Sequence, residues 1–355
     1  MSRQRALTAL LAVLLLGLLP LAAACRSADE PVRILLVGDS VTQGSAGDWT
    51  WRYRLAQHLV DADVPFDFVG PEDGLLDNVA GKQGSHAYAD PEFDQDHAAR
   101  WGMKFVDQDQ PIGDLVDTYH PDVVVEMLGF NDIAWDHAAP ADVIEHARDF
   151  VKDARSADPD VSVVLGGLPQ TWFPGVEEYD ADLQELAADL DSEDSRVVVA
   201  QPVQPYVEDV DTYDPAHPTA TGEVKIAAGV ADALASLGIG TDYPRPLPAV
   251  PNGPRVTAVL SADPGDGEAT LRWESPPGAT GETVWRRDAT TGEDWARLPY
   301  PVTGSPWVAG GLTNGHRYEF RLQAEKGSAV AEDLFSNVVS VIPSAVPGTS
   351  TAPPG

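Results

Sequence analysis

At 355 residues the chain is about twice the usual length of a single domain, which predicts two folded units plus additional segments. Hydrophobic residues at 43% and aromatics at 8% supply a packed core and exclude wholesale disorder. With 23 Lys and Arg against 56 Asp and Glu, the formal charge of -33 repels phosphate backbones and anionic surfaces, so nucleic acid is excluded as a partner and the acidity reads as a solvated surface.

The N-terminus reads as a processing signal, residues 1–24. Arg3 and Arg5 form a positive region, residues 6–21 are apolar, and Ala22-Ala23-Ala24 precede Cys25. Cys25 is the sole cysteine, which excludes an internal disulfide framework and a multi-cysteine metal site. Directly after Leu21-Ala22-Ala23-Ala24, it resembles the modified cysteine of bacterial lipoproteins, although Leu21 stands four residues before it and not three. That resemblance implies an exported protein with Cys25 as its mature N-terminus, held at the outer face of the membrane by acyl chains. An ordinary secretory signal with Cys25 a bystander is the alternative.

From residue 30 to 240 the pattern is α/β. Apolar runs at 32–37, 66–69, 122–127, 161–165 and 196–199 suit parallel strands covered on both faces. Amphipathic stretches at 51–60, 112–119, 141–154, 176–190 and 222–237 supply the crossover helices. Residues 241–254, which include Tyr243-Pro244-Arg245-Pro246 and Pro251-Asn252-Gly253-Pro254, read as a stiff extended spacer. Alternating segments at 255–261, 269–274, 282–287, 317–324 and 337–342 then predict an all-β unit over 255–343, followed by a disordered tail at 344–355.

Three short motifs carry chemistry. Gly38-Asp39-Ser40 follows the first predicted strand, so Ser40 stands at the carboxyl edge of the sheet, where sites in open parallel sheets collect. Asp214-Pro215-Ala216-His217-Pro218 precedes the last helix, and its spacing lets the Asp214 carboxylate reach His217 Nδ1 while Nε2 faces a nucleophile. Gly129-Phe130-Asn131-Asp132 follows the strand at 122–127 and offers the Asn131 amide to a developing oxyanion. Each motif alone is weak, since Asp-Ser after a strand is also ordinary turn chemistry; their order and placement together are specific.

These motifs resemble the first, third and fifth blocks of the SGNH or GDSL hydrolases, over residues 32–237. The resemblance implies a flavodoxin-like three-layer α/β/α sandwich and a serine-dependent ester hydrolase without cofactor or metal. It assigns Ser40, His217 and Asp214 as nucleophile, base and orienting acid, acting through an acyl-enzyme. It also implies an oxyanion hole of the Ser40 amide, a glycine amide and the Asn131 side chain; Gly102 fits the glycine better than Gly81 or Gly84. The C-terminal unit resembles a fibronectin type III domain, an immunoglobulin-like sandwich, through Trp273 on its second strand, Trp285 on its third, and Tyr318, placed to form a tyrosine corner.

Asp94, Asp96 and His97 lack a second cluster at ligand spacing, and Asp209, Asp211 and Asp214 lack the glycine a calcium loop needs at its sixth position. Trp49, Trp51, Trp101, Trp135, Trp172 and Phe173 flank the motifs and suit either sugar stacking, an acyl pocket or core packing. The expected partner is a small-molecule, lipid or carbohydrate ester. Acyl transfer to a sugar or lipid hydroxyl is the alternative reaction, and a non-catalytic surface-binding protein the alternative class. The sandwich domain reads as a passive spacer or substrate presenter, with contact to cell wall or polysaccharide as its other use.

Overall fold

The computed structural model of the protein describes residues 30–345. The signal at 1–24, Cys25 and the tail beyond 345 lie outside the described residues.

The α/β unit runs in the order β1 (Val32–Gly38), α1 (Ser40–Gln43), α2 (Trp51–Asp61), β2 (Phe66–Val69), β3 (Leu75–Asp77), β4 (Lys82–Ser85), β5 (Ala98–Ala99), α3 (Ile112–Tyr119), β6 (Val123–Met127), α4 (Phe130–Ala134), α5 (Pro140–Ala157), β7 (Ser162–Gly166), α6 (Val176–Leu190), β8 (Val197–Ala200) and α7 (Ala220–Ser236). Its sheet has the order β2-β1-β6-β7-β8, with all these neighbours parallel and β5 pairing the end of β1. This is the doubly wound flavodoxin-like order, which puts the chain reversal beside β1 and opens a crevice at its carboxyl end.

The apolar runs are continuous because both faces of the sheet are covered. Leu35, Val37, Val124, Val163 and Leu165 pack with Leu115, Val143, Val151, Tyr179 and Leu183 of α3, α5 and α6. Ile34, Leu36, Val123, Val125 and Val164 pack on the other side with Trp51, Leu55, Leu59, Val224 and Ala231 of α2 and α7. The period-two alternation of a strand thus feeds two separate cores. Five elements of this unit went unread in the sequence: the one-turn helices α1 and α4, the hairpin strands β3 and β4 and the two-residue β5, all too short to show a period.

The C-terminal unit contains β9 (Ser261–Pro264), β10 (Ala269–Arg272), β11 (Gly281–Asp288), β12 (Ala296–Arg297), β13 (Trp307–Ala309), β14 (Tyr318–Lys326), β15 (Ala329–Val330) and β16 (Val339–Val341). One sheet has the order β13-β10-β9 and the other β12-β11-β14-β15, with β16 also on β14; Leu271, Val284, Phe320 and Leu322 fill the space between. Tyr318 Oη accepts a 3.1 Å hydrogen bond from Thr313 N, the tyrosine-corner geometry of immunoglobulin-like sandwiches.

Three expectations are corrected. The first sandwich strand begins at Ser261 and not at 255, because Leu260 is tied by its N–H and C=O to the side-chain amide of Asn337, both at 2.8 Å, which replaces a ladder partner. Trp273 lies just past β10, where its N–H donates to Ser305 Oγ at 2.9 Å. Residues 241–254 contain no helix or strand, yet they are no free spacer: Tyr243 is buried against His58, and Leu247 and Val250 pack on the α2/α7 core.

Gly229 shows how tightly α7 is seated, since a Cβ there would lie 2.2 Å from the Gln201 carbonyl oxygen. Alanine would gain about 1 kcal/mol of helix propensity but meets backbone that cannot yield, at a typical overpacking cost of about 1–3 kcal/mol. Gly229→Ala is therefore expected to lower the melting temperature measured by circular dichroism, against the direction propensity alone gives.

Candidate active site

Ser40 is the first residue of α1, where β1 ends. Asp39 caps the helix, its Oδ1 accepting from Val41 N at 2.9 Å, and Gly44 ends it at φ +78°. Gly38 leaves no room for a side chain, since a Cβ there would stand 2.2 Å from Thr42 Oγ1. The turn is thereby held to one conformation that points Ser40 at the crevice.

His217 reaches it from the far end of the unit. Its Nε2 lies 3.0 Å from Ser40 Oγ, and its Nδ1 lies 2.8 and 2.9 Å from the two Asp214 oxygens. The N–H groups of Ala216 and His217 also donate to Asp214 Oδ1, at 2.9 and 2.8 Å. Burial pushes the Asp214 pKa up, but the His217 hydrogen bond and charge and these two amides outweigh it and hold the group below the usual carboxylate range. An ionised Asp214 fixes the proton on Nδ1, so Nε2 presents its lone pair to the Ser40 hydroxyl. The loop is tied down by Gln170 Nε2 to Ala216 O at 2.7 Å and by Trp172 Nε1 to Pro215 O at 3.0 Å. The rings of Trp101 and Tyr213 stack on the imidazole, at 4.1 and 5.7 Å between centroids.

Gly102 belongs to a turn closed by Met103 N to Arg100 O at 2.9 Å, and its φ of +79° requires glycine. Gln43 Oε1 accepts from Trp101 N at 2.8 Å and so ties this turn to α1. Among the described residues, neither the Ser40 nor the Gly102 amide donates to the chain. Asn131 is brought to the same place, but its amide is not free: Nδ2 donates to Asp39 Oδ2 at 2.9 Å and to Met103 O at 3.0 Å. It therefore links the cap of α1 to the Gly102 turn. Gly81 and Gly84 lie instead on the turn and second strand of the β3–β4 hairpin.

Arg52 is the strongest contributor missed in the sequence. It is fully buried, and its guanidinium donates to Thr42 O at 2.9 Å, Gln43 O at 3.1 Å, Gln95 O at 2.7 Å and Tyr88 Oη at 2.9 Å, stapling the end of α1. Its signal was present: Arg52 lies on the same helical stripe as Leu55, Ala56 and Leu59, which also face the core. The rejected ligand candidates have structural work. His97 Nδ1 accepts from Ala99 N at 3.0 Å, Asp94 Oδ2 from Phe68 N at 2.7 Å, and Asp211 Oδ2 from Val207 N at 2.7 Å. Trp51 is core, whereas Trp135 is 55% exposed and meets Phe173 edge-on at 5.8 Å.

A model of the GDSL-like lipase/acylhydrolase family matches residues 36–224. The chain belongs to that family. Over 241 residues it is 24% identical to a multidomain esterase of Ruminococcus flavefaciens, covering 61% of this chain and 30% of that protein, so it spans about a third of that relative. It is similar to the crystal structure of a carbohydrate esterase family 3 protein from Talaromyces cellulolyticus, at 26% identity and a TM-score of 0.50, over 58% of this chain and 97% of the other. The crystal structure of an acetyl esterase mutant with acetate ion aligns with the same 26% identity, TM-score of 0.50 and coverage of 58% and 97%.

Buried acids surround the Ser40 turn. Burial raises the Asp39 pKa from 3.8 to about 7, opposed by the Val41 N–H and the charge of His217 and reinforced by Asp132. Burial also lifts Glu126, beneath the site, well above the usual range. Unfolded Asp39 loses its proton near pH 3.8 and folded Asp39 only near 7, so its contribution to stability is full below 3.8 and is lost as pH rises toward 7. Asp39→Asn is expected to remove about 3 kcal/mol of the stability lost between pH 5 and 8, read from urea unfolding at each pH, whatever its absolute stability.

Proposed function

We propose that the protein is a carboxylic ester hydrolase in which Ser40 attacks the substrate carbonyl. The observation that carries this reading is the hydrogen-bonded line Asp214–His217–Ser40, with 2.8 and 3.0 Å links, at the carboxyl edge of a parallel sheet. His217 Nε2 takes the Ser40 proton as the Oγ–C bond forms, and Asp214 stabilises the imidazolium. The tetrahedral oxyanion accepts from the two uncommitted amides, Ser40 N–H and Gly102 N–H. Asn131 joins as a third donor by exchanging Asp39 or Met103 O for the oxyanion; until then it holds the two amides in register. His217 then gives its proton to the leaving alcohol, and a water deprotonated by His217 opens the acyl-enzyme. The Trp101 and Tyr213 rings keep the imidazole in one plane through both transfers.

The substrate we propose is a short acyl ester on a carbohydrate. Trp101 stacks on His217, and exposed Trp135, at the end of the helix that carries Asn131, meets Phe173; such aromatic faces suit the apolar faces of sugar rings. The carbohydrate esterase and acetyl esterase named among the similar structures support the same class. Residues 1–25 support placing this chemistry outside the cytoplasm, with Cys25 as an anchor.

Ser40→Ala is expected to cut p-nitrophenyl acetate turnover by more than about 10⁴-fold with an unchanged circular dichroism spectrum, and retained turnover contradicts the assignment. In an acyl-length series kcat/KM falls from acetate onward and acetate is released from acetylated xylan; a preference for long chains or lysophosphatidylcholine contradicts the substrate class.

A further inference from the structure

The C-terminal sandwich sends one side chain into the α/β unit. Lys326, at the end of β14, is buried, and its Nζ donates to Ala46 O at 3.0 Å and Asp48 Oδ1 at 2.5 Å. Both acceptors belong to the loop that leaves the nucleophile helix α1. The same ammonium stands 5.0 Å from the centroid of the Tyr213 ring, the ring that stacks on His217. Asp48 extends the link: its Oδ2 accepts from Ser45 N at 2.8 Å and Ser45 Oγ at 2.9 Å, and Ser45 Oγ lies 3.2 Å from Tyr213 Oη. One cation therefore touches the loop following Ser40 and the residue preceding Asp214.

The backbone around Lys326 is fitted to the same two loops. In the Gly327-Ser328 turn between β14 and β15, Ser328 N donates to Tyr213 O at 2.8 Å and Ser328 Oγ to Thr212 O at 3.3 Å. A Cβ on Gly327 would lie 1.9 Å from Tyr213 O, and one on Gly278 would lie 1.7 Å from Ala46 O. On the α/β side, a Cβ on Gly47 would lie 2.5 Å from Pro277 O. Backbone meets backbone at these points, as in a domain core and unlike a tethered module.

We infer that the sandwich domain is a structural part of the active site: its β14–β15 turn, through Lys326, sets the position of the Asp214–His217 loop relative to Ser40. Lys326 is a positioning residue and touches no reacting atom. Its ammonium is desolvated by the interface and is compensated by Asp48, so removing it leaves the half-buried Asp48 without its cation. The loop then relaxes around Tyr213, and the 3.0 Å His217–Ser40 contact opens. A displacement on the ångström scale at that contact is enough to cost about 10- to 100-fold in rate. This replaces the passive-spacer expectation for the domain.

The inference rests on the hydrolase reading above, and the full chain tests the two separately. Lys326→Met in otherwise intact protein is expected to lower kcat for p-nitrophenyl acetate about 10- to 100-fold, with KM within about threefold and a native circular dichroism spectrum. Lys326→Arg, which keeps the cation, recovers part of kcat. If Lys326→Met does not fold, Ser328→Pro, on the exposed turn and without an N–H for Tyr213 O, shows the same loss confined to kcat. Arg272→Ala, on the exposed sandwich surface, keeps parental kcat and KM. A kcat within twofold of the parent in folded Lys326→Met or Ser328→Pro overturns the positioning role while leaving the hydrolase reading intact. A parent chain without turnover overturns both.

Discussion

The 3.0 Å hydrogen bond between His217 Nε2 and Ser40 Oγ joins residues 177 positions apart, and much of the fold can be understood as what keeps it closed. Ser40 is fixed by the end of β1, the Asp39 cap and the Arg52 staple on α1. His217 is fixed by Asp214, by Gln170 and Trp172 below the loop, and by the rings of Trp101 and Tyr213. The parallel sheet supplies the distance constraint, since β1, β6 and β7 all deliver their following loops to one edge. The short links around the serine hold because the Ser40, Thr42 and Gln43 carbonyls of α1 are each given a donor, which ties the turn to its neighbours.

Charge is handled differently inside the protein than on its surface. A chain of formal charge -33 keeps several carboxyls in its interior, where burial favours the neutral acid: Asp39 and Asp180 are pushed up to about 7 and Glu223 to about 8. Asp214 is the contrast. It too is desolvated, yet the imidazole and two backbone amides keep it ionised. Two aspartates beside Ser40 are thus shifted in opposite directions, Asp39 upward by burial and Asp214 downward by its donors, and in the proposed mechanism the ionised Asp214 orients His217.

The five strands β2, β1, β6, β7 and β8 and the five long helices were legible because burial on both faces or one stripe leaves a long periodic trace. The site was legible in three blocks because each stands where a strand ends or a helix starts. What escaped the sequence has no period of its own. α1 and α4 are single turns, and Gln43 is one polar residue among others until its amide is seen bridging to Trp101. The commitment of the Asn131 amide to Asp39 and Met103 depends on two loops meeting in space, and no spacing encodes that. Residues 241–254 read as a spacer from their prolines, although Tyr243, Leu247 and Val250 carry enough apolar surface to dock. Lys326 looks like an ordinary strand-end lysine, and only the partner face reveals the buried carbonyl and carboxylate that receive it.

The central claim is that one serine, activated by His217, forms the covalent intermediate. Its most direct test is intact-mass and peptide mapping after exposure to a fluorophosphonate, which reacts with an activated serine. The account predicts a single adduct, on the peptide that contains Ser40, formed rapidly in the parent and slowed severely in His217→Ala. An adduct on another residue, or none in a folded protein, would contradict it.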